Sequence, residues 1–489
     1  MELIPETSGR PRGYFFRRYK SEGGYRDILS IAIPLIFTTG SWALQNFVDR
    51  MFLNWYDTEV MAASMPAGIL NFTLVSLFMG TVGYVSTFVA QYYGSDQNEM
   101  MGKVLWQALY ISVVSGIIIM FFIPFSDSIF AVVGHSGKVR DYETAYFRIL
   151  CYGAVPLVAS SAMSGFFSGI GKTWIIMIAN FAATAENIII DYLLIFGNFG
   201  FPRMGIEGAA VATALSACVS FAIYAAVLFR ASYNDTFNTV RGWRPDRVLM
   251  KRLIRFGLPN GIQFFLDMMG ITMFVLIIGR LGTDSLAATN IAFNVNTIAF
   301  MPMIGLGITV SVLVGQYLGM NNPEMAEYSV YSGLHLAIAY MGTIALLYVI
   351  VPDLFMCLYA AGTDAEKFRP TAELAKVLLR FVALYSVFDA MNIIFASAIK
   401  GAGDTHFVMK AIIILSIFGL IMPTSAALFI LDLGIFAGWT ALTGYVMLLG
   451  IVFMLRFKGG RWKTMRVIEE APITIPPSRP EGLAGKVEV

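Results

Sequence analysis

Apolar positions in this chain fall neither in the strict alternation of a half-buried strand nor in the one-sided spacing of a surface helix. They come in long runs broken by short polar stretches. The runs lie near 28–53, 62–92, 104–125, 145–169, 173–197 and 206–229, then near 256–279, 285–318, 328–351, 374–399, 406–431 and 434–456. Crossing a hydrocarbon layer about 30 Å thick takes about 20 helical residues, so each run is long enough to span. A helix satisfies its own backbone hydrogen bonds in lipid; strands of a membrane barrel would be about ten residues long and alternating. The pattern therefore predicts an all-α integral membrane protein with twelve transmembrane helices, in two groups of six.

Charge placement supports an even count. Basic residues gather in the N-terminal stretch (Arg10, Arg12, Arg17, Arg18, Lys20, Arg26), in the central linker and after the last span, and Lys103, Lys172 and Lys400 are read as short loops on that side. The opposite loops hold only Lys138, Arg140, Arg203, Arg280, Lys367, Arg369 and Lys376. The positive-inside rule then puts both termini in the cytoplasm, with the chain multi-pass in the cytoplasmic (inner) membrane. The expected division is a cytoplasmic N-terminal segment (1–27), a six-helix lobe (28–229), a linker (230–255), a second lobe (256–456) and a cytoplasmic tail (457–489). The Pro/Gly-rich end of that tail, from about 470, reads as disordered. The polar, basic N-terminus runs into a full-length span, so the first helix itself is expected to direct insertion.

Composition removes other classes. Hydrophobic residues make up 57% of the 489, charged ones 13%, far from the balance of a soluble domain. Lys+Arg 34 against Asp+Glu 32 leaves +2, too even for an ordinary nucleic-acid binder. Three scattered cysteines and three scattered histidines suggest neither a disulfide framework nor a zinc site. No nucleophile motif or soluble catalytic domain is visible, so an enzyme is not expected, nor a cofactor beyond a coupling ion.

The two groups of six are copies. Pro34 and Pro259 stand 225 residues apart, and VAQYYGSDQNEM (89–100) aligns with VGQYLGMNNPEM (314–325) at the same offset. GIGKT (169–173) aligns with GAGDT (401–405), and Arg148 with Arg380, both at 232. Copies with an even number of spans share an orientation, so a pseudo-two-fold axis along the membrane normal relates them, as in some secondary transporters with a cavity between the halves. GIGKT resembles the end of a phosphate-binding loop, but it closes a helix and lacks the preceding strand and glycine, so it reads as a turn.

Carboxylates inside spans are functional candidates, because lipid makes them costly. Asp49 lies five residues before the end of the first helix at Asn54, Asp191 six before Gly197, and Thr213 as far into the sixth helix. At about 1.5 Å per residue all three sit about 8–11 Å below the outer surface. Asn187 is one turn from Asp191 on the same face. Two carboxylates, an amide oxygen and a hydroxyl suit a hard cation such as Na+; with none bound, one carboxylate would hold a proton. Asp49 pairing with the adjacent Arg50 is the plain structural alternative, and Glu186 has no evident role. Asp267 and Asp389 fall near mid-membrane, with Gln263 and Tyr385 one turn away on the same faces, an acidic pocket suited to an organic cation or a proton. The repeat maps Asp49 onto Phe274 and Asp267 onto Trp42, so the two acid pairs are separate inventions on one scaffold.

Taken together, IAIP…FVDR, NIIIDYLLIFG, GIEGAAVAT, GLPNGIQFFLD and YSVFDA resemble the multidrug and toxic compound extrusion (MATE) family, over about residues 26–457. The resemblance implies two six-helix bundles forming a V, working as a monomer in lipid and exporting organic cations in exchange for Na+ or H+. It also implies a cation site at Asp49, Asn187, Asp191 and Thr213, and cation or drug contacts at Asp267, Asp389 and Tyr385. The position of Asp267 is glutamate in other members. Lipid-linked oligosaccharide flippases of the same superfamily generally have more basic cavities and are the nearest alternative. A non-transporting scaffold or an enzyme is a more distant one.

Overall fold

In a computed structural model that describes residues 17–133, 137–360 and 365–469, every apolar run is helical and no strand occurs among the described residues. Arg10, Arg12 and the tail from 470, read above as disordered, lie outside those residues. The spans are α1 (Tyr25–Tyr56), α2 (Thr58–Gly94), α3 (Asn98–Met120), α4 (Lys138–Tyr152 with Ala154–Gly169), α5 (Thr173–Phe196) and α6 (Ile206–Leu228). The second set is α7 (Arg247–Gly279), α8 (Thr283–Gly319), α9 (Pro323–Ile350), α10 (Ala365–Ala402), α11 (Thr405–Phe429) and α12 (Ile435–Lys458). Eleven are long and apolar enough to cross a membrane unbroken, and α4 makes the twelfth with a 48° bend at Gly153. Pro156 explains that break, since it cannot donate a hydrogen bond back to the preceding turn. Large apolar side chains stand exposed on the outside of the bundles, Phe121 at 68% and Ile350 at 70% among them; in lipid this surface needs no further cover.

Several bounds differ from the sequence reading: α4 and α10 begin at Lys138 and Ala365, so Lys138, Arg140, Arg369 and Lys376, like Lys103 on α3, are helical rather than loop residues. The seventh helix starts at Arg247 rather than near 256, so the second half of the basic linker is helical. Asp246 sets that start by accepting from the Val248 and Leu249 amides at 2.9 and 3.0 Å, a normal N-cap. Lys400, read as a loop residue, occupies the last turn of α10.

The GxG motifs are turns with a packing role. Gly171 and Gly403 take positive φ of 76° and 112°, which lets α5 and α11 start directly after α4 and α10. The first glycine of each motif lies against the backbone of the same lobe: a methyl at Gly169 would meet Ser86 O at 2.7 Å, and one at Gly401 would meet Ser311 O at 2.5 Å. Ser86 and Ser311 are themselves 225 residues apart, so the repeat extends to its contacts.

The lobes meet along α2–α7 and α1–α8. Asn260 Nδ2 donates to Gly80 O at 2.7 Å and Thr39 Oγ1 to Met301 O at 3.3 Å. Nearer the face that carries the termini and linker, Tyr84 Oη donates to Lys400 O at 2.6 Å, and Arg18 reaches Ser332 Oγ at 2.9 Å with its guanidinium 4.2 Å over the Tyr328 ring. Among the described residues, the cross-lobe hydrogen bonds reach no farther from this basic face than about the middle of the helices. The core follows the same division. One buried cluster fills the first lobe and continues into 303–318, 326–341 and 390–402, whereas 274–299, 372–385 and 420–442 form a second, separate cluster. The lobes therefore share a core at the basic face and part toward the other.

Close backbone approach makes that contact possible. A methyl at Gly261 would sit 2.1 Å from Leu77 O, while one at Gly342 meets nothing within 4 Å. Gly261→Ala should lower the thermal unfolding midpoint in detergent, by overpacking worth about 1–3 kcal/mol. Gly342→Ala should leave it unchanged or raise it, since alanine favours the helix by up to about 1 kcal/mol. Equal midpoints for the two variants would contradict the packing described.

Candidate functional site

The first lobe brings Asp49, Asn187, Asp191 and Thr213 together from α1, α5 and α6. Small residues permit it: a methyl at Gly208 would lie 2.8 Å from the Leu194 backbone, so α6 runs against α5 and delivers Thr213 to Asn187. Asn187 and Asp191 are fully buried, and Asp49 is partly so. One end of the Asn187 amide is 3.2 Å from Asp191 Oδ2 and the other is 3.3 Å from the Thr213 amide nitrogen. With its nitrogen toward Asp191, both contacts are hydrogen bonds. With its oxygen there, two acceptors face each other, which only a cation or a proton between them would stabilise.

The acids themselves are under-satisfied. Oδ1 of Asp49 and Oδ1 of Asp191 are both buried without a hydrogen-bond partner. The two carboxylates lie within electrostatic reach of each other, and Glu186 adds a third negative group within reach of Asp191. Arg50 influences Asp49 from the adjacent position but is exposed and makes no salt bridge with it. Buried acceptors normally find partners, and a buried charge needs one more strongly. Each of these two carboxylates therefore keeps a buried oxygen whose lone pairs accept no hydrogen bond.

Tyr146 on the bent α4 completes the wall. It is buried, its hydroxyl lies against Thr213, and it is within electrostatic reach of Asp49 and Asp191. Below the cluster, Ser216 Oγ donates to Thr213 O at 2.8 Å and Gln45 Nε2 to Ser216 Oγ at 3.4 Å, continuing the polar lining between α1 and α6.

The second lobe holds Asp267 on α7 and Asp389 on α10, within electrostatic reach of each other. Gln263 Nε2 donates to Asp267 Oδ2 at 3.4 Å, and Asn392 Nδ2 donates to Asp389 Oδ1 at 3.3 Å. Tyr385 is buried one turn from Asp389. Three neighbours are absent from the sequence reading. Asn392 stands three residues after Asp389 and is detectable from helical spacing. Lys400 lies within electrostatic reach of Asp267, and only the tertiary fold brings it there. Tyr445 on α12 is near both acids, and its hydroxyl is 3.0 Å from Ser416 Oγ. Ser416 opens a π-helical segment, Ser416–Ile421, in α11, a distortion often found where a helix serves a site.

The MatE family model matches residues 34–193 and 259–424, one stretch in each lobe. A protein named probable multidrug resistance protein NorM, of Thermotoga maritima, is 24% identical over 450 residues, covering 91% of this chain and 94% of the relative. The multidrug resistance protein NorM of Burkholderia vietnamiensis is 27% identical over 390 residues, 79% of this chain and 83% of its own. Among solved structures, a MOP superfamily transporter from Pyrococcus furiosus superposes with a TM-score of 0.82 at 20% identity, over 92% of this chain and 99% of that one. A multidrug resistance MATE family transporter solved in an outward-facing conformation gives 0.81 at 20% identity, over 92% and 98%. These likenesses establish the two-lobed, twelve-helix fold.

The Asn187 bridge is testable apart from any activity. Asn187→Leu leaves the Asp191 carboxylate without its amide neighbour, a buried group whose loss of a partner costs about 1–3 kcal/mol, while the Thr213 N–H keeps its bond within α6. Thermal unfolding in detergent should show a clear drop, with Asn187→Gln intermediate. An unchanged midpoint for the leucine variant would remove the bridge from the account.

Proposed function

The chain belongs to the MatE family, and from that premise we propose that it is a cation-coupled multidrug efflux antiporter, exporting organic cations in exchange for Na+ or H+. In this reading it lies in the cytoplasmic membrane as a monomer, with the basic face inward. The observation that carries the proposal is the buried pair Asp49–Asp191, with unpartnered oxygens and the Asn187 amide set between Asp191 and Thr213. Such a cluster is most stable when a small cation, or a proton on one carboxylate, occupies it.

The cleft geometry supports exchange. With the lobes joined at the basic face, the first-lobe cluster is reached from the opposite, outer side. A cation arriving there neutralises the acids and draws Asp49, Asp191, Asn187 and Thr213 inward on one guest, tightening α1 against α5 and α6. The acids of the second lobe offer a cationic substrate a charge partner, with Tyr385 and Tyr445 supplying ring faces for cation–π contact. Cation entry favours release of substrate to the outside and the return of the lobes to an inward-open arrangement. Inward movement of one positive charge adds about 2.3 kcal/mol per 100 mV of membrane potential.

A lipid-linked oligosaccharide flippase would need to accommodate phosphates, and clusters led by Asp49, Asp191, Glu186, Asp267 and Asp389 repel them. Asp49→Asn and Asp191→Asn should each abolish drug export in drug-sensitive cells at normal expression; unchanged resistance in both would refute the first-lobe site. Asp389→Asn should reduce resistance to cationic substrates more than to neutral ones, and equal losses would count against charge pairing in the second lobe.

A further inference from the structure

The duplicated QYxG and GxG motifs have no part in either acid cluster, yet they converge at the basic face. Gln91 Nε2 donates to Gly401 O at 3.0 Å, and Gln316 Nε2 donates to Gly169 O at 2.8 Å. Each glutamine belongs to one lobe and each carbonyl to the GxG turn of the other, so the repeat is reproduced as a reciprocal clasp. The glycines of the same motifs let the two helices cross with their backbones touching. A methyl at Gly94 would meet Gln316 O at 2.0 Å, and one at Gly319 would meet Gln91 O at 2.3 Å.

The symmetry is broken by the segment after α12. Trp462 is buried, stacks on Phe457 at 4.8 Å and 12°, and donates Nε1–H to Phe457 O at 2.9 Å. Lys463 pairs with Glu327, and Glu469 with Arg252 at 2.8 Å. Between these anchors the Val467 amide donates to Gln91 Oε1 at 2.8 Å. Gln91 is thus fully buried with both ends of its amide engaged, whereas Gln316 is half-buried and holds only Gly169. The counterpart segment after α6 runs elsewhere: Thr239 O accepts from Trp106 Nε1, and the Asp246 amide donates to Gln107 Oε1, both on α3.

We propose that Gln91 and Gln316 are paired latches of the gate at the basic face, and that residues 459–469 form a strap that locks the Gln91 latch alone. Neutral amide–carbonyl bonds suit a latch, because once the lobes part water replaces them and each contributes little net. The strap adds what the clasp lacks, a partner for the second end of a buried amide. Opening this face therefore requires Val467 to leave Gln91 before, or together with, separation of α2 from α8. The inference rests on the rocking-lobe reading for its purpose, but the seam can be tested without transport.

The test uses full-length Thr87→Cys protein in lipid nanodiscs, since Thr87 is 2% exposed and its carbonyl faces Gly315 across the seam. Maleimide labelling of the peptide containing position 87 is followed by mass spectrometry, so the native cysteines do not interfere. Val467→Pro removes the donating N–H, and Val467→Ala keeps it. Labelling should be about five- to tenfold faster in the proline variant than in the alanine one, the scale of one buried acceptor left unpaired. Gln316→Ala should also accelerate it. A chain ending at Lys458 provides the same comparison if the proline variant is not monodisperse. Labelling at the alanine rate in both strap variants would overturn the lock, and an unchanged rate in Gln316→Ala would overturn the paired latch. Neither outcome depends on the exported compound or the coupling ion, so failure here leaves the antiporter reading standing, and the reverse holds.

Discussion

Two buried carboxylates within electrostatic reach of each other in a membrane protein are costly unless a cation or a proton neutralises one of them. Asp49 and Asp191 are in that situation. Burial removes the water that would screen them, Arg50 does not pair with Asp49, and the Asn187 side chain 3.2 Å from Asp191 Oδ2 is a neutral amide. An isolated buried charge costs several kcal/mol or more, so the first lobe is most stable with an occupant and less so without it. In the proposed exchange, that dependence is what gives an ion leverage to move helices. The second lobe differs: Asp267 has Lys400 within electrostatic reach and Asp389 has Asn392, so its acids rely less on a visiting charge, which fits the larger cationic ligand proposed for them.

Leverage requires that movement at the site be felt across the lobes. α1 carries Asp49 in the half away from the basic face, and its other half packs on α8 of the second lobe; α2 likewise packs on α7. A local tightening around the first-lobe cluster therefore acts on the inter-lobe seam through continuous helices. The seam combines glycine-mediated backbone contacts and hydrogen bonds with apolar contacts such as Phe88 against Phe256. Parting it exposes the apolar residues that the lobes share at the basic face, so the two arrangements are separated by the cost of uncovering that core. The second-lobe cluster of apolar residues, separate from the shared core, lets the outer halves splay while that lobe stays intact.

Much of this was legible in the sequence for identifiable reasons. Lipid forces unbroken apolar runs, so the twelve spans could be read off directly, and duplication leaves pairs such as Pro34 and Pro259 at a constant offset. Asp49, Asn187, Asp191 and Thr213 could be grouped because depth in a membrane is a one-dimensional coordinate that residue counting measures. What counting does not measure is azimuth, the direction each side chain takes around its helix. Tyr146 and Tyr445 come from helices that contribute none of the four candidate acids, and only the packing of α4 and α12 brings them to the sites. Lys400 was misplaced because a basic residue at a helix end looks the same whether it faces water or the cleft. The clasp was invisible for a similar reason: the repeat marked Gln91 and Gln316 as equivalent but not as reaching across to each other's turns.

The most direct test is dye efflux from proteoliposomes of uniform orientation, with Na+ and H+ gradients imposed one at a time. The account predicts that an inward gradient of at least one of the two drives efflux in the native protein, and that neither does in Asp191→Asn. Efflux indifferent to both gradients, or equally driven in the Asp191→Asn protein, would contradict it.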